Sequence, residues 1–322
     1  MLRFDGRVAL ITGAGRGLGR AHALMLASRG CQVIVNDLGV KSTGAPSTVD
    51  PAADVVQEIE AAGGVALASR HDVVTQPREM IEAAVDRFGR LDIVVNNAGV
   101  FNDAPFGGAS AQAWHASADV HFKGTVEVCR AAWPHLIKSG KGRIVNTTSS
   151  AMLGGPGVTS YGAAKGAIYG FTTNLAADGR RVGINVNAIM PSAWTRMTAT
   201  MNDQTVLDLL REQFQPDRVA AFVAWLVHPS TDVWMQCFRV SGHGASRVIV
   251  TTTASTMVPE TTPEAWAHAG SQLLSNEELF PLRSTLDSFA RELKEADPDI
   301  DLSQTFAAGG NEVTIGKGDG LF

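Results

Sequence analysis

The chain is poor in cysteine: Cys31, Cys129 and Cys237 are its only three among 322 residues, and none belongs to a CxxC spacing. So scattered and odd a set builds neither a disulfide framework nor a zinc ligand group, and it suits a reducing compartment. A long uncharged apolar run is missing as well. The opening MLRFDGRVALITG is too short in its apolar stretch and too charged for a signal peptide or membrane span. The closing GDGLF is no SKL-type peroxisomal address, so a cytoplasmic setting is expected, without a membrane partner. Basic charge is not in excess: 27 Lys and Arg stand interspersed among 32 Asp and Glu, for a net charge of −5. A nucleic-acid-binding face would need clustered Lys and Arg, so none is expected. The sequence also shows no internal repeat and no His/Asp/Glu cluster suited to a metal.

What is present is glycine, 33 residues of it, and an ordinary apolar fraction of 45%. Runs rich in Val and Ile alternate with longer helical patterns. The spacing predicts strands over Arg7–Thr12, Gln32–Asp37, Val65–Ser69, Leu91–Asn96, Arg143–Thr148, Gly183–Ala188 and Gln236–Val240. These are almost continuously apolar, as strands covered on both faces must be. Helices are predicted over Gly17–Arg29, Ala52–Ala62, Pro77–Phe88, Ala111–Ser139, Tyr161–Gly179 and Pro216–Val227, with Pro134 expected to kink or stop the fourth. This alternation implies βαβ units with right-handed crossovers and hence an α/β fold: a doubly wound parallel sheet in a Rossmann-type three-layer sandwich. A long polar loop, Leu38–Pro51, follows the second strand. After about Gly244 the alternation stops. Residues 1–245 read as one domain, and 246–322 as an extension packed on it or on a neighbouring subunit. That extension is predicted to hold a strand at Ser246–Thr253, helices at Thr262–Leu274 and Leu282–Ala296, and a hairpin or loose tail.

Directly after the first strand comes Thr12-Gly13-Ala14-Gly15-Arg16-Gly17-Leu18-Gly19, leading into a helix. Gly13 and Gly17 can turn the chain and let backbone approach a pyrophosphate, Gly19 lets helix and sheet pack closely, and the helix N-terminus favours phosphate. Asp37 closes the second strand 18 residues beyond Gly19, where a carboxylate can take both ribose hydroxyls of NAD and repel the 2′-phosphate of NADP. Arg16 pulls the other way, but less directly. Asp72, followed by Val73, is placed to meet the adenine amino group, or else to act as a helix cap. Asn96, Asn97, Ala98 and Gly99 are expected to line the cleft at the carboxyl edge of the sheet.

Tyr161 and Lys165 lie four residues apart, on one helix face. A tyrosine with its ordinary pKa near 10 is a poor acid or base at neutral pH, and a lysine ammonium one turn away would favour its phenolate. Thr147-Thr148-Ser149-Ser150 ends the fifth strand, so a hydroxyl there can polarise a substrate carbonyl.

With TGAGRGLG (Thr12–Gly19), NNAG (Asn96–Gly99), Thr148–Ser150 and YGAAK (Tyr161–Lys165) in this order, the chain resembles the short-chain dehydrogenase/reductase family over about Phe4–Gly244. The resemblance implies that Tyr161 donates or accepts the proton, that Lys165 holds the ribose and lowers the tyrosine pKa, and that a serine orients the substrate. Counting from the strand gives Ser149 and counting back from Tyr161 gives Thr148; Ser149 is favoured, with Ser150 as the fallback. The family's helix asparagine, which anchors a relay water, is replaced by His121, equally able to bind water or to pack. Pro191-Ser192 replaces the usual PG, and Thr195 is left to meet the nicotinamide carboxamide. The resemblance also implies a homodimer or homotetramer packed through the helices near 111–139 and 161–179.

Within the family, FDGRVALITGAGRGLGRAHAL, VNDLG with its polar insert, VHFKGT, PSAWTRMT with Arg196, and TPEAW are similar to the (3R)-hydroxyacyl-CoA dehydrogenase part of the peroxisomal multifunctional enzymes of type 2. That likeness implies an acyl-CoA substrate. A lid at Ser192–Gln215, with Met197, Met201, Leu207, Leu209 and Phe214, could cover it or simply pack. Two alternatives stay open: a dehydrogenase of hydroxysteroids or other lipophilic alcohols, and a non-catalytic NAD-binding regulatory protein.

Overall fold

The computed structural model describes residues 1–302 apart from positions 41, 42, 44, 46, 47, 102, 103, 109, 196, 197, 199–202, 243, 259, 261, 276, 283 and 298. Arg196, Met197 and Met201 of the expected lid, parts of the loop 38–51 and the carboxyl-terminal tail lie outside the described residues.

Eight strands form one sheet: β1 (Val8–Thr12), β2 (Gln32–Asn36), β3 (Val65–Ser69), β4 (Ile93–Asn96), β5 (Gly142–Thr147), β6 (Ile184–Pro191), β7 (Cys237–Ser241) and β8 (Gly244–Val248). Their order is β3-β2-β1-β4-β5-β6-β7-β8. All pairings are parallel except the last, where β8 returns antiparallel along β7. The continuous apolar runs follow from two cores, one on each face. Ala9, Ile11, Val33, Val35 and Val95 enter one, and Val8, Leu10, Ile34, Val94 and Ile144 enter the other. Side chains alternate between faces, so a strand covered twice must be apolar at every position.

Helices α1 (Gly17–Ala27), α2 (Pro51–Ala61) and α8 (Pro216–Leu226) supply residues to the first core, and α3 (Pro77–Phe88), α5 (Gly124–Ser139) and α6 (Thr159–Arg180) to the second. Local chemistry sets their ends. Pro51 opens α2 behind an Asp50 carboxylate that accepts the Ala53 N–H, and Gly89, in the left-handed region, closes α3. The single helix expected over Ala111–Ser139 is instead α4 (Ala111–Ser117), a π-helical turn over Ala118–Lys123, and α5. The Thr125 hydroxyl donates to the His121 carbonyl across 2.6 Å within this break. Pro134 does not stop the helix, which runs on to a left-handed Gly140. A further helix, α7 (Gln204–Gln213), is capped by the Asp203 side chain on the Val206 N–H.

The strand order reverses between β1 and β4. That is the switch point where crevices open at the carboxyl ends of strands in doubly wound sheets.

The chain divides into two compact units, Met1–Val248 and the residues from Ile249 on. The strand expected over Ser246–Thr253 is thus two. β8 ends the main sheet, and β9 (Thr251–Thr253) pairs antiparallel with β10 (Leu279–Pro281) in the second unit. That unit also holds α9 (Pro263–Ser275) and α10 (Thr285–Ala296), the latter capped by Ser284 on the Asp287 N–H. No helix among the described residues is long and apolar enough to cross a membrane.

One core residue sets a stability prediction. His22 on α1 is fully buried, neither ring nitrogen has a hydrogen-bond partner among the described residues, and burial lowers its pKa to about 4. The unfolded chain, with an ordinary histidine, binds more protons between about pH 4 and 6.5, so folding stability falls as pH drops through that window. His22→Leu is expected to stabilise the protein by about 1–3 kcal/mol near neutrality and by more near pH 5. Urea unfolding at the two pH values measures it; an equal gain at both would mean the folded state accepts the imidazolium.

Candidate active site

The glycine loop is braced from β4's end. The Thr12 hydroxyl oxygen accepts the N–H groups of Asn97 and Ala98, both at 3.0 Å, and the Asn97 amide donates to the carbonyls of Thr12 and Gly13. This approach leaves no room for side chains. Gly13 has φ of +64°, and a Cβ there would lie 2.8 Å from the Ala98 Cα; one on Gly19 would strike the Gly13 carbonyl. Asp37, half-buried, accepts the Gly15 N–H at 2.9 Å and the Gly39 N–H at 2.8 Å, so its carboxylate is pinned against the loop. Gly15 had no role in the sequence reading; its N–H is what holds the acid. Asp72 accepts the N–H groups of Val74 and Thr75, a turn cap, and still borders the cleft.

Asn96 departs from expectation. Its side chain turns into the interior, donating to Asn146 at 2.9 Å and to the Cys129 sulfur, and only Asn97, Ala98 and Gly99 of that motif line the cleft.

The strand end after β5 separates its hydroxyls. Thr148 gives its proton to the Lys165 carbonyl at 2.6 Å, and Ser150 is exposed at the start of a 3-10 turn. Ser149 faces the cleft beside Tyr161, its hydroxyl oxygen accepting the Ala151 N–H at 3.2 Å. The register counted from the strand is therefore the one the structure brings to Tyr161. Lys165 is 3% exposed, donates to the Thr147 carbonyl at 2.7 Å, and lies 5.5 Å from the centre of the Tyr161 ring. Burial raises the Tyr161 pKa and the neighbouring Ser149 hydroxyl pulls it back in part. The protein's own groups do not, by themselves, bring the phenol below its ordinary value. Burial also lowers Lys165 to about 7.

Between about pH 7 and the ordinary lysine value near 10.4, the unfolded chain therefore binds more protons than the folded one, and stability rises with pH across that window. Lys165→Met removes this dependence. Relative to the variant, wild type should gain stability from about pH 7 to 10, read from thermal midpoints; a constant difference would mean a hydrated lysine.

One cleft of about 380 Å³ runs past Gly13, Arg16, Gly17, Leu18, Asp37, Asp72, Val73, Asn97, Ala98 and Gly99 to Ser149, Tyr161, Lys165 and Thr195. The expected site residues border it except Asn96, turned inward, and Gly19, which sits behind the loop. At its middle α1 begins with no side-chain cap and no acid in its first turn. Uncapped N–H groups beside a close-packed glycine loop suit a pyrophosphate, so the residues fit a dinucleotide. Lining residues the sequence did not single out include Leu38, Val40 and Val120. No group of three or more metal-binding side chains occurs among the described residues.

Comparison with known proteins agrees with this geometry. A short chain dehydrogenase family model matches residues 7–206. Peroxisomal multifunctional enzyme type 2 of Mus musculus is 44% identical over 232 residues, 72% of this chain and 31% of its own; this chain thus spans about a third of that relative. A (2S)-[(R)-hydroxy(phenyl)methyl]succinyl-CoA dehydrogenase subunit of Thauera aromatica is 37% identical, over 58% of this chain and 72% of its own. A short chain dehydrogenase structure from Mycobacterium avium superposes with a TM-score of 0.74 at 38% identity, covering 84% of this chain and 96% of that one. A 7α-hydroxysteroid dehydrogenase in complex with NADH and 7-oxo glycochenodeoxycholic acid gives 0.67 at 30% identity, covering 75% and 95%. The protein is an oxidoreductase and belongs to the short-chain dehydrogenase/reductase family.

Proposed function

We propose that the protein transfers hydride between NAD and a secondary alcohol or ketone, with a 3-hydroxyacyl-CoA as substrate and Tyr161 as acid/base. The observation that carries this is the continuity of one cleft, from the braced glycine loop and Asp37 to Ser149, Tyr161 and Lys165. The nicotinamide, when bound, accepts the hydride. Ser149 and Tyr161 hydrogen-bond the alcohol oxygen. The C–H bond breaks with its electron pair, and the hydroxyl proton passes to the Tyr161 phenolate oxygen, leaving a carbonyl. Phenolate character needs positive charge beside the ring, and the Lys165 ammonium is placed to provide it. Asp37, held at the loop, favours NAD because a 2′-phosphate would meet its carboxylate.

The thioester substrate is supported by the named CoA substrate of the Thauera relative and by the likeness to the peroxisomal enzymes. A hydroxysteroid is the second reading, favoured by the structural match to the steroid dehydrogenase. NADH formation with (3R)- and (3S)-hydroxyacyl-CoAs and hydroxysteroids, repeated with NADP, separates them. Turnover of a (3R)-thioester with NAD is expected; turnover of steroids alone would replace the substrate, and silence with measured NAD binding would refute both. A cytoplasmic homodimer or homotetramer packed through α4, α5 and α6 completes the proposal.

A further inference from the structure

Phe101 sets an apolar wall beside the proposed acid/base. Its ring stands edge-on to that of Tyr161 with centroids 5.3 Å apart, one residue beyond Val100 in the lining of the cleft. Two segments frame it. The Ala104 N–H donates to the Gly157 carbonyl at 3.0 Å, which ties the segment after β4 to the one between β5 and α6. That second segment seats on α6 because Gly162 has no side chain: a Cβ there would meet the Ala151 carbonyl. Both segments are thus held around the first turn of α6, where Tyr161 sits.

The outward side chains of these joined segments are apolar. Phe106 is 71% exposed and Leu153 74%, and Phe106 packs edge-on against Trp114 with centroids 5.8 Å apart. Large apolar side chains left in water mark a surface that binds something. Charge is missing too: no Asp, Glu, Lys or Arg occurs from 104 to 118 or from 144 to 164. A carbinol carbon whose oxygen is held at Tyr161 carries two substituents. An arm bearing the phosphates of CoA would find no cation here, whereas an apolar arm would take these side chains and its own surface out of water.

We propose that Phe101, with Phe106, Trp114 and Leu153, forms the specificity wall for the substrate's apolar arm, and that the preferred substrate carries a bulky aromatic group on its hydroxyl-bearing carbon. Continuity with the site commits this wall to substrate and not to a second copy of the chain, because Phe101 touches the ring of Tyr161 itself. An aromatic arm would meet Phe101 edge-on or offset-stacked, a contact that adds to plain burial. The inference deepens the proposed reaction and rests on the reading of Tyr161 as the group that holds the alcohol oxygen. No bond forms or breaks at the wall.

Substrate pairs that differ only in this arm test it: 3-hydroxy-3-phenylpropanoyl-CoA against 3-hydroxybutanoyl-CoA, and 1-phenylethanol against propan-2-ol, each with NAD. kcat/KM for the phenyl member is expected to be about 100-fold higher, since each buried CH₂ group is worth about fourfold. Phe101→Ala should cut that preference about tenfold, with partial recovery in Phe101→Leu. Leu153 is too exposed to support the fold, so Leu153→Ser should cut it about threefold with an unchanged thermal midpoint. An equal loss for both members in Phe101→Ala would overturn the proposal, as would a wild-type preference for the methyl members. So would a Leu153→Ser effect seen only as a change of oligomeric mass in sedimentation, the mark of a face covered by another copy. Oxidation of the alcohols without the thioesters would refute the acyl-CoA reading, while the alcohol pair still decides this one. If nothing is oxidised the parent reading fails, and binding of acetophenone against acetone to the NADH-loaded protein, followed by NADH fluorescence, decides the wall.

Discussion

Tyr161→Phe is expected to lower kcat by about 10²–10⁴-fold, the usual contribution of a positioned acid/base, while NAD binding and the thermal midpoint stay close to wild type. The phenol oxygen is the one group placed to do this at the cleft. Ser149 has no basic form near neutrality, and His121 is held neutral by burial with its Nε2 against the Val100 backbone. The thiols of Cys129 and Cys237 are driven up to about 12 by burial and do not line the cleft. Lys165 keeps its Nζ on the Thr147 carbonyl, so residual turnover should be small. Stopped assays of product, beside calorimetric NAD titration, separate lost chemistry from lost binding. A variant that binds NAD and still turns over at more than about a tenth of the wild-type rate would move proton transfer to another group.

The second large effect concerns Asp37. Asp37→Asn keeps the side chain's shape and removes its charge, and the preference for NAD over NADP in kcat/KM should fall about 100-fold or more, since opposed like charges cost several kcal/mol. Part of the change will appear as weaker NAD binding. The native carboxylate accepts from both Gly15 and Gly39, and an amide offers one oxygen and an NH₂ that would face the other N–H. Arg16 lines the cleft too and could meet a 2′-phosphate once the acid's repulsion is gone. The measurement is kcat/KM for both cofactors with one alcohol. An unchanged ratio would mean that Asp37 serves the loop and not the choice of cofactor.

The sheet could be read from the sequence because a strand buried on both faces is apolar along its covered length, as Val8–Ile11 and Val33–Val35 are. The glycine loop was equally plain, since few other needs place Gly13, Gly17 and Gly19 between strand and helix. What escaped was set by contacts distant in sequence. The break at Ala118–Lys123 leaves the apolar pattern of a long helix intact, so periodicity reads through it. Asn96 and Asn97 are adjacent and chemically alike, yet alternation along the strand sends one to Asn146 and the other to the loop. Counting from the strand already favoured Ser149; the hydrogen bond that occupies Thr148, to the Lys165 carbonyl, is what no spacing rule contains. Helix α7 has no buried residue, and its exposed Val206 and Leu209 gave periodicity little core to report. The lysine–tyrosine pair was legible as a helix neighbour relation, but its depressed lysine and raised tyrosine come from burial, which only packing reveals.

Tyr161 and Tyr169 are the only tyrosines in the chain, so its central claim can be observed directly. In a Tyr169→Phe protein, ultraviolet absorbance reports the ionisation of Tyr161 alone. The decisive measurement is that titration with NAD bound, set beside the pH profile of kcat for alcohol oxidation by the same protein. If Tyr161 is the base, the two curves share one apparent pKa, and it lies below the value found for Tyr161 without NAD. A rate that rises at a pH where Tyr161 stays fully protonated would contradict the account.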